Sequence, residues 1–174
     1  MFLHEIIDHL LRCERRIRGI YQTLAERSEY NIEVRAFWQD MAKDENNHRA
    51  FLEGTAGLLN FMESPPEMLE MALANVEAQL VAAETAVKQD DLSLDDALLQ
   101  ALCIENSELR SLDEAWLEGF RPSLTSLMHA QFPDEEAHIR HLVDAVERFS
   151  TDETLQELAK LLWSTYQQKA DCVT

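Results

Sequence analysis

The feature that most constrains this chain is a Glu-x-x-His written twice on otherwise apolar helical stripes. DENNHR, Asp44 to Arg49, carries Glu45 and His48; DEEAHIR, Asp134 to Arg140, carries Glu135 and His138. Taken at alternating steps of four and three, the first segment reads Val34, Trp38, Met41, Glu45, His48, Leu52 and ends near Gly54. The second reads Leu124, Met128, Gln131, Glu135, His138, Leu142, Ala145, Phe149. Residues so spaced share one face of an α-helix, and a Glu and a His three apart lie one turn from each other on it. Burying these faces also buries their acids.

Two further segments behave alike. Leu3, Ile7, Leu10, Glu14, Ile17, Tyr21, Leu24 form a stripe interrupted by Glu14, and Leu94, Leu98, Ala101, Glu105, Glu108, Leu112 form one interrupted twice. LLRCE, ending at Glu14, precedes Glu45 by 31 residues, and ALCIE, ending at Glu105, precedes Glu135 by 30. The unit, a helix with Glu followed by a helix with Glu-x-x-His, is therefore made twice. Between the copies a plain stripe, Leu69, Leu73, Val76, Leu80, Ala83, Val87, starts at a capping box of Ser64, Pro65 and Glu67. Ser93 with Asp96 caps the next helix, and Ser150 with Glu153 caps a last one running through Leu155, Leu158 and Leu162 to about Lys169. Only 4 Gly and 4 Pro leave little room for the frequent turns of a β-protein. The expectation is all-α: a ferritin-like four-helix bundle of two hairpins, joined by a crossover helix from Pro65 to Lys88 and followed by an extra C-terminal helix, in one domain spanning 1–174.

Seven inward positions are ionisable or ligating: Glu14, Glu45, His48, Glu105, Glu108, Glu135 and His138. Five are carboxylates, and an unpaired charge in an apolar core costs several kcal/mol even after relaxation. Two divalent cations offset that charge, and a Glu from each of two helices with Glu-x-x-His from the other two is the ligand set of di-iron carboxylate bundles. Carboxylates with one imidazole per metal suit iron, manganese or a mixed pair better than zinc, which favours compact N/S tetrahedra. Tyr21 reads as a core aromatic or as a donor to a ligand carboxylate. Asp44 and Asp134 read as solvated acids or as acceptors for the free ring N–H of a His across the bundle. His4, His9 and His129 read as surface or packing residues, as does His141, which follows His138 by three and stays open as a ligand. Cys13 and Cys103 read as buried hydrophobes.

The net charge of -18, from 33 acids against 15 bases, argues against nucleic acid and anionic membranes as partners. No run reaches the roughly 18 apolar residues of a membrane span. Cys13, Cys103 and Cys172 form no C-x-x-C and no disulfide framework, and the first residues, MFLHEIIDHLLRC, lack a basic leader, so the expected location is a reducing cytoplasm.

From about Glu5 to Phe149 the chain resembles the rubrerythrin branch of the ferritin-like superfamily. The resemblance rests on Glu14 and Tyr21 in CERRIRGIY, on FWQDMAKDENNHRAFLE, on ALLQALCIENSE with its double Glu105 and Glu108, and on DEEAH. It implies that Glu45 and Glu135 bridge two irons, with Glu14 and His48 on one and Glu105 and His138 on the other, and that Glu108 is an extra ligand able to replace His48 when the iron changes oxidation state. Three departures stand out. The four-cysteine rubredoxin module of typical rubrerythrins is absent from these residues, so electrons must come from a separate donor protein. Asp113, Glu114 and Trp116 occupy the region where the family tends to place a tyrosine. Pro133 falls just before the second ligand pair, where it should kink the helix near His129.

The resemblance implies a di-iron oxidoreductase of the peroxidase type, reducing hydrogen peroxide with an external electron donor in oxidative stress defence. Two alternatives remain at this stage: a ferroxidase or iron-storage protein using dioxygen, and a non-catalytic helical interaction protein that binds metal only for stability. A homodimer is expected of the extended acidic bundle with its extra helices.

Overall fold

The computed structural model describes residues 3–27, 29–55, 67–108 and 135–173. Among them are six helices and no strand: α1 (Leu3–Ala25), α2 (Ile32–Thr55), α3 (Glu67–Ala86), α4 (Leu94–Ser107), α5 (Glu135–Phe149) and α6 (Glu153–Val173). The expected α3 cap at Ser64 and Pro65, Asp113, Glu114, Trp116, His129, the kink at Pro133, and Asp134 all lie outside the described residues. None of the helices is long and apolar enough to cross a membrane among those residues.

The helices start where side chains satisfy their first N–H groups, which have no partner inside a helix. Asn31 Oδ1 accepts from the backbone N–H of Glu33 and of Val34, both at 2.9 Å, and so caps α2. Ser93 caps α4 as expected, its Oγ accepting from Asp96 N at 3.0 Å. The start of α6 differs from the expectation. Asp152, not Ser150, is the cap: its Oδ1 accepts from Thr154 N at 2.7 Å and Leu155 N at 3.2 Å. Ser150 sits too early to reach those amides and instead accepts from Asp152 N at 3.0 Å, which fixes the capping residue. The helix also runs past Lys169, to Val173.

α1 and α2 form a tightly packed hairpin, α4 and α5 form the second half of the bundle, and α2 meets α5 across the centre. α3 packs on α1 and α4, as a crossover must, and α6 covers α5 and α4. This is an all-α ferritin-like bundle. Its core is the set of stripes read from the sequence: Leu10, Ile17 and Leu24 from α1, Val34 and Met41 from α2, Leu73, Val76 and Leu80 from α3, Leu98 and Ala101 from α4, Leu142 and Ala145 from α5. Each large apolar side chain buried in this way contributes about 1.5–3 kcal/mol. Trp38, fully buried, stacks on Tyr21 with ring centroids 5.6 Å apart and tilts against Phe37 at 4.5 Å.

At one end, Arg27 ties two turns together. Its guanidinium donates to the carbonyls of Gln89 and Asp90, both at 3.0 Å, while pairing with Glu29 and lying over the Tyr30 ring. The turn after α1 is thereby fixed to the turn after α3, so the crossover cannot slide along the first hairpin.

Gly19 lies inside α1 with open space where a Cβ would stand. Glycine in a helix interior costs about 0.5–1 kcal/mol relative to alanine because the unfolded chain loses more freedom. Gly19→Ala should therefore stabilise the protein by about that amount, read as a higher denaturant midpoint at unchanged slope; a lower midpoint would mean that the backbone there is needed by another element.

Candidate metal centre

Four helices each place one or two polar side chains at the bundle centre. Glu14 comes from α1, Glu45 and His48 from α2, Glu105 from α4 and His138 from α5. Glu45, Glu105 and His138 are 1%, 3% and 1% exposed. They form two overlapping triads. In one, Glu14, Glu45 and His48 bring a donor atom each within 4.8 Å of one another; in the other, Glu45, Glu105 and His138 do the same. Glu45 belongs to both, and its two oxygens face opposite ways. Oε2 lies 3.3 Å from His48 Nδ1, and Oε1 lies 3.5 Å from His138 Nε2.

The remaining contacts orient this set. Tyr21, about two turns along the same face of α1 from Glu14, donates its buried hydroxyl to Glu105 Oε1 at 2.6 Å. His138 Nε2 lies 3.2 Å from the same oxygen, while its Nδ1 lies 3.3 Å from Asp44 Oδ2 on α2. Asp44 is placed to hold the proton at Nδ1, so that loss of the other ring proton would leave the Nε2 lone pair facing the centre. His48 Nδ1 is 3.8 Å from Glu14 Oε2, and the two imidazoles meet edge to face at 5.0 Å.

Two of the seven residues read from the sequence stand apart from the triads. Glu108 follows α4 at its C-cap, partly buried, and Glu135 opens α5, also partly buried. Their charges still belong to the centre. Burial raises Glu108 well above the usual carboxylate range, and the charges of Glu14, Glu105, Glu45 and Glu135 raise it further. Asp134, the candidate partner on the other hairpin, lies outside the described residues. His141 is not in either triad; its ring stands edge-on to Phe37 at 5.2 Å.

The electrostatics are those of a site built for cations. Burial, then the charge of Glu45, raises Glu14 well above its ordinary range. Burial pushes Glu45 up to about 7, with His138 opposing and Glu105 adding to the rise. Burial also works against charge on Glu105, but His138 and the Tyr21 hydroxyl outweigh it and leave this carboxyl lowered. His138 would lose its proton on burial alone; Glu105, Asp44 and Glu45 instead hold it well above the ordinary imidazole value. Burial and Glu105 raise Tyr21 well above the usual phenol range, so it stays a donor.

The fit can be tested on buried atoms. Glu14 Oε2, Glu45 Oε1 and His138 Nε2 are buried and make no hydrogen bond. Such an atom costs about 1–3 kcal/mol when nothing pairs with it. Each of the three belongs to a residue of one triad or of both. Three carboxylates and two imidazoles form an oxygen-rich set that suits divalent iron or manganese and gives zinc no thiolate. The residues fit the pair of metals that the sequence pattern implies.

Some neighbours were not legible beforehand. Cys13 is buried beside Glu14, as expected of a hydrophobe, but it also faces His9 and Glu77, and burial with the charges of Glu108 and Glu77 pushes its thiol up to about 12. Cys103, expected to be buried, is only partly so. The Tyr21–Trp38 stack joins α1 to α2 behind the centre, and the only sequence signal for it was the shared inward stripe.

No curated protein and no solved structure matches the chain. The rubrerythrin family model matches it over residues 5–146, which takes in nearly all of both hairpins, the seven acids and histidines read from the sequence, and the crossover between them. The chain belongs to the rubrerythrin family.

Proposed function

We propose that the protein is a di-iron carboxylate oxidoreductase of the peroxidase type, reducing hydrogen peroxide to water with two electrons delivered by a separate donor protein. Membership of a family that typically binds two irons supports the metal. The observation that carries the reading is Glu45, whose two oxygens address the Glu14/His48 side and the Glu105/His138 side separately. A carboxylate so placed can bridge two ions. Glu14 and His48 would hold one, Glu105 and His138 the other, and Glu135 would complete the bridge from the start of α5.

When bound, the iron pair supplies two electrons to a small oxidant, and the overall change takes up two protons: H2O2 + 2H+ + 2e- gives 2H2O. The chain's part is to hold geometry and protons. Asp44 fixes the His138 ring through Nδ1, and Tyr21 fixes Glu105 through Oε1. Glu108, raised by burial and by four neighbouring carboxylates and lying beyond both triads, is the side chain assigned to carry a proton or to join the metal set when its charge changes. Ferroxidase or storage chemistry would use the same ligands with dioxygen, and a purely structural metal would use them with neither oxidant.

Iron-loaded, chemically reduced protein should contain about two irons per chain, as the two-metal site implies, and should be reoxidised faster by one equivalent of peroxide than by oxygen, followed by absorbance in a stopped-flow instrument. Faster reaction with oxygen would replace the peroxidase reading by the ferroxidase one, and chains that take up no metal would sink both.

Substitutions separate the roles. Glu45→Ala should lose both metals together, because the shared carboxylate serves both, whereas Asp44→Ala should only weaken binding, about 10- to 100-fold, as loss of a supporting hydrogen bond does. Elemental analysis after dialysis checks this, and a Glu45→Ala protein that keeps two metals would refute the bridge.

The sign of the pH dependence should depend on metal. In the metal-free protein Glu45 has a folded pKa of about 7, above its unfolded value of 4.5, and Glu14 and Glu108 are raised likewise. Raised carboxyls stabilise the fold while protonated, so stability should fall as pH rises from about 5 to 7, by about 1.4 kcal/mol per pH unit for each proton released. His138, also raised, reinforces the fall above 6.5; Glu105, lowered, contributes steadily once above 4.5. Metal requires deprotonated ligands, so the loaded protein should gain stability over the same window. Thermal melts with and without chelator across that range would show the opposite slopes; parallel curves would mean these carboxyls do not titrate with folding.

A further inference from the structure

We propose that His9, Cys13 and Glu77 form a second cation site, distinct from the bundle centre and suited to a borderline-soft divalent ion such as zinc, which ties the crossover helix α3 to α1. His9 and Cys13 are four residues apart on α1, hence one turn apart on one face. Glu77 reaches them from α3. A nitrogen, a sulfur and an oxygen, one from each residue, lie within 4.8 Å of one another, so modest side-chain adjustment brings them to the corners of a tetrahedron, about 3.3–3.8 Å apart for bonds of about 2.0–2.3 Å.

The side chains around this group hold it in a ligating posture. Arg16 pairs with Glu77 Oε2 and is itself fixed on Glu84 at 2.7 and 3.1 Å. That leaves Glu77 Oε1 turned to His9, at 3.0 Å from Nε2. His9 Nε2 is nonetheless buried and makes no hydrogen bond. Cys13 forms the floor, 1% exposed, while the side chains of His9 and Glu77 are 22% and 33% exposed and form a rim open to water. An ion can enter from solvent, and water can take the fourth position, the arrangement of three-ligand zinc sites.

The donors decide the class of ion. A thiolate and an imidazole select zinc-like cations over magnesium or calcium, which need several hard oxygens. None of these three residues belongs to either central triad, and the centre offers no sulfur. Cys13 and Glu14 are neighbours in sequence, yet a helix turns about 100° per residue, so α1 presents one to α3 and the other to the centre. On binding, a metal–sulfur bond replaces the S–H bond, and the proton leaves to water.

Cobalt reports thiolate ligation directly, through a sulfur-to-cobalt charge-transfer band that carboxylate and imidazole ligands cannot give. The full chain, stripped of metal, is titrated with cobalt. The expected result is a band that saturates at about one cobalt per chain, as a single three-ligand site requires, survives in Cys103→Ser and vanishes in Cys13→Ser. Zinc should displace the band, and magnesium in excess should not. Glu77→Gln and His9→Ala should weaken the cobalt affinity at least about 10-fold, since losing a ligand costs no less than losing its support; these variants also serve if Cys13→Ser fails to fold, which circular dichroism shows. No charge-transfer band in the native chain, a band that persists in a folded Cys13→Ser protein, or affinities unchanged in both other variants would overturn the proposal. Iron binding at the centre is scored separately, by metal content, so failure of one site does not imply failure of the other.

Discussion

Everything else in this fold is arranged around the burial of like charges at one point. Glu14, Glu45 and Glu105 are buried within a bundle whose apolar side chains contribute about 1.5–3 kcal/mol each, and Glu108 and Glu135 press on them from the rim. An ionised carboxylate taken from water costs several kcal/mol unless it is paired, so each acid alone would cancel the gain from one or two core residues. The chain meets this with partners that do not neutralise the site outright. Tyr21 and His138 both converge on one oxygen of Glu105, and Asp44 holds His138 from behind. What is left over, the unbonded atoms on Glu14, Glu45 and His138, is the negative, donor-rich space that two cations would occupy.

Much of this was readable from residue spacing because helices make spacing and direction equivalent. Once Val34, Trp38, Met41 and Leu52 are on the buried face, Glu45 and His48 must face that way too; Glu45 is buried with them and His48 partly so, while Phe37 and Ala42 widen the buried face beyond the stripe. The Ser93 cap was legible for a similar reason, since a cap acts on amides two or three residues away. Errors came where two polar residues competed within one turn. Ser150 and Asp152 both precede α6, and only the distance to Thr154 N decides between them. Contacts between helices were beyond reach of spacing alone. That Glu45 turns one oxygen to each triad depends on how α2 is rotated between α1 and α5, and that Glu77 falls opposite His9 and Cys13 depends on the height at which α3 crosses α1. Glu108 and Glu135 show the limit from the other side: they lie on the right stripes, yet both are only partly buried and neither belongs to a triad.

α1 shows how little rotational freedom such a design leaves. Its inward face carries Glu14 and Tyr21, fixed by the centre and by Glu105. The face toward α3 carries His9, Cys13 and Arg16, fixed by Glu77 and Glu84. The faces are about 100° apart, so a rotation that improved one set would pull the other away from its partners. Arg27, just past the end of α1, then anchors the same helix to the turn after α3, which removes sliding as well as rotation. A helix held in rotation by two independent sets of polar contacts and in height by a third presents its ligands to within a small fraction of a turn. Preorganisation of that kind would let the carboxylates of the centre adjust while the scaffold stays still, and the crossover helix contributes to it through Glu77 and Glu84, which hold Arg16.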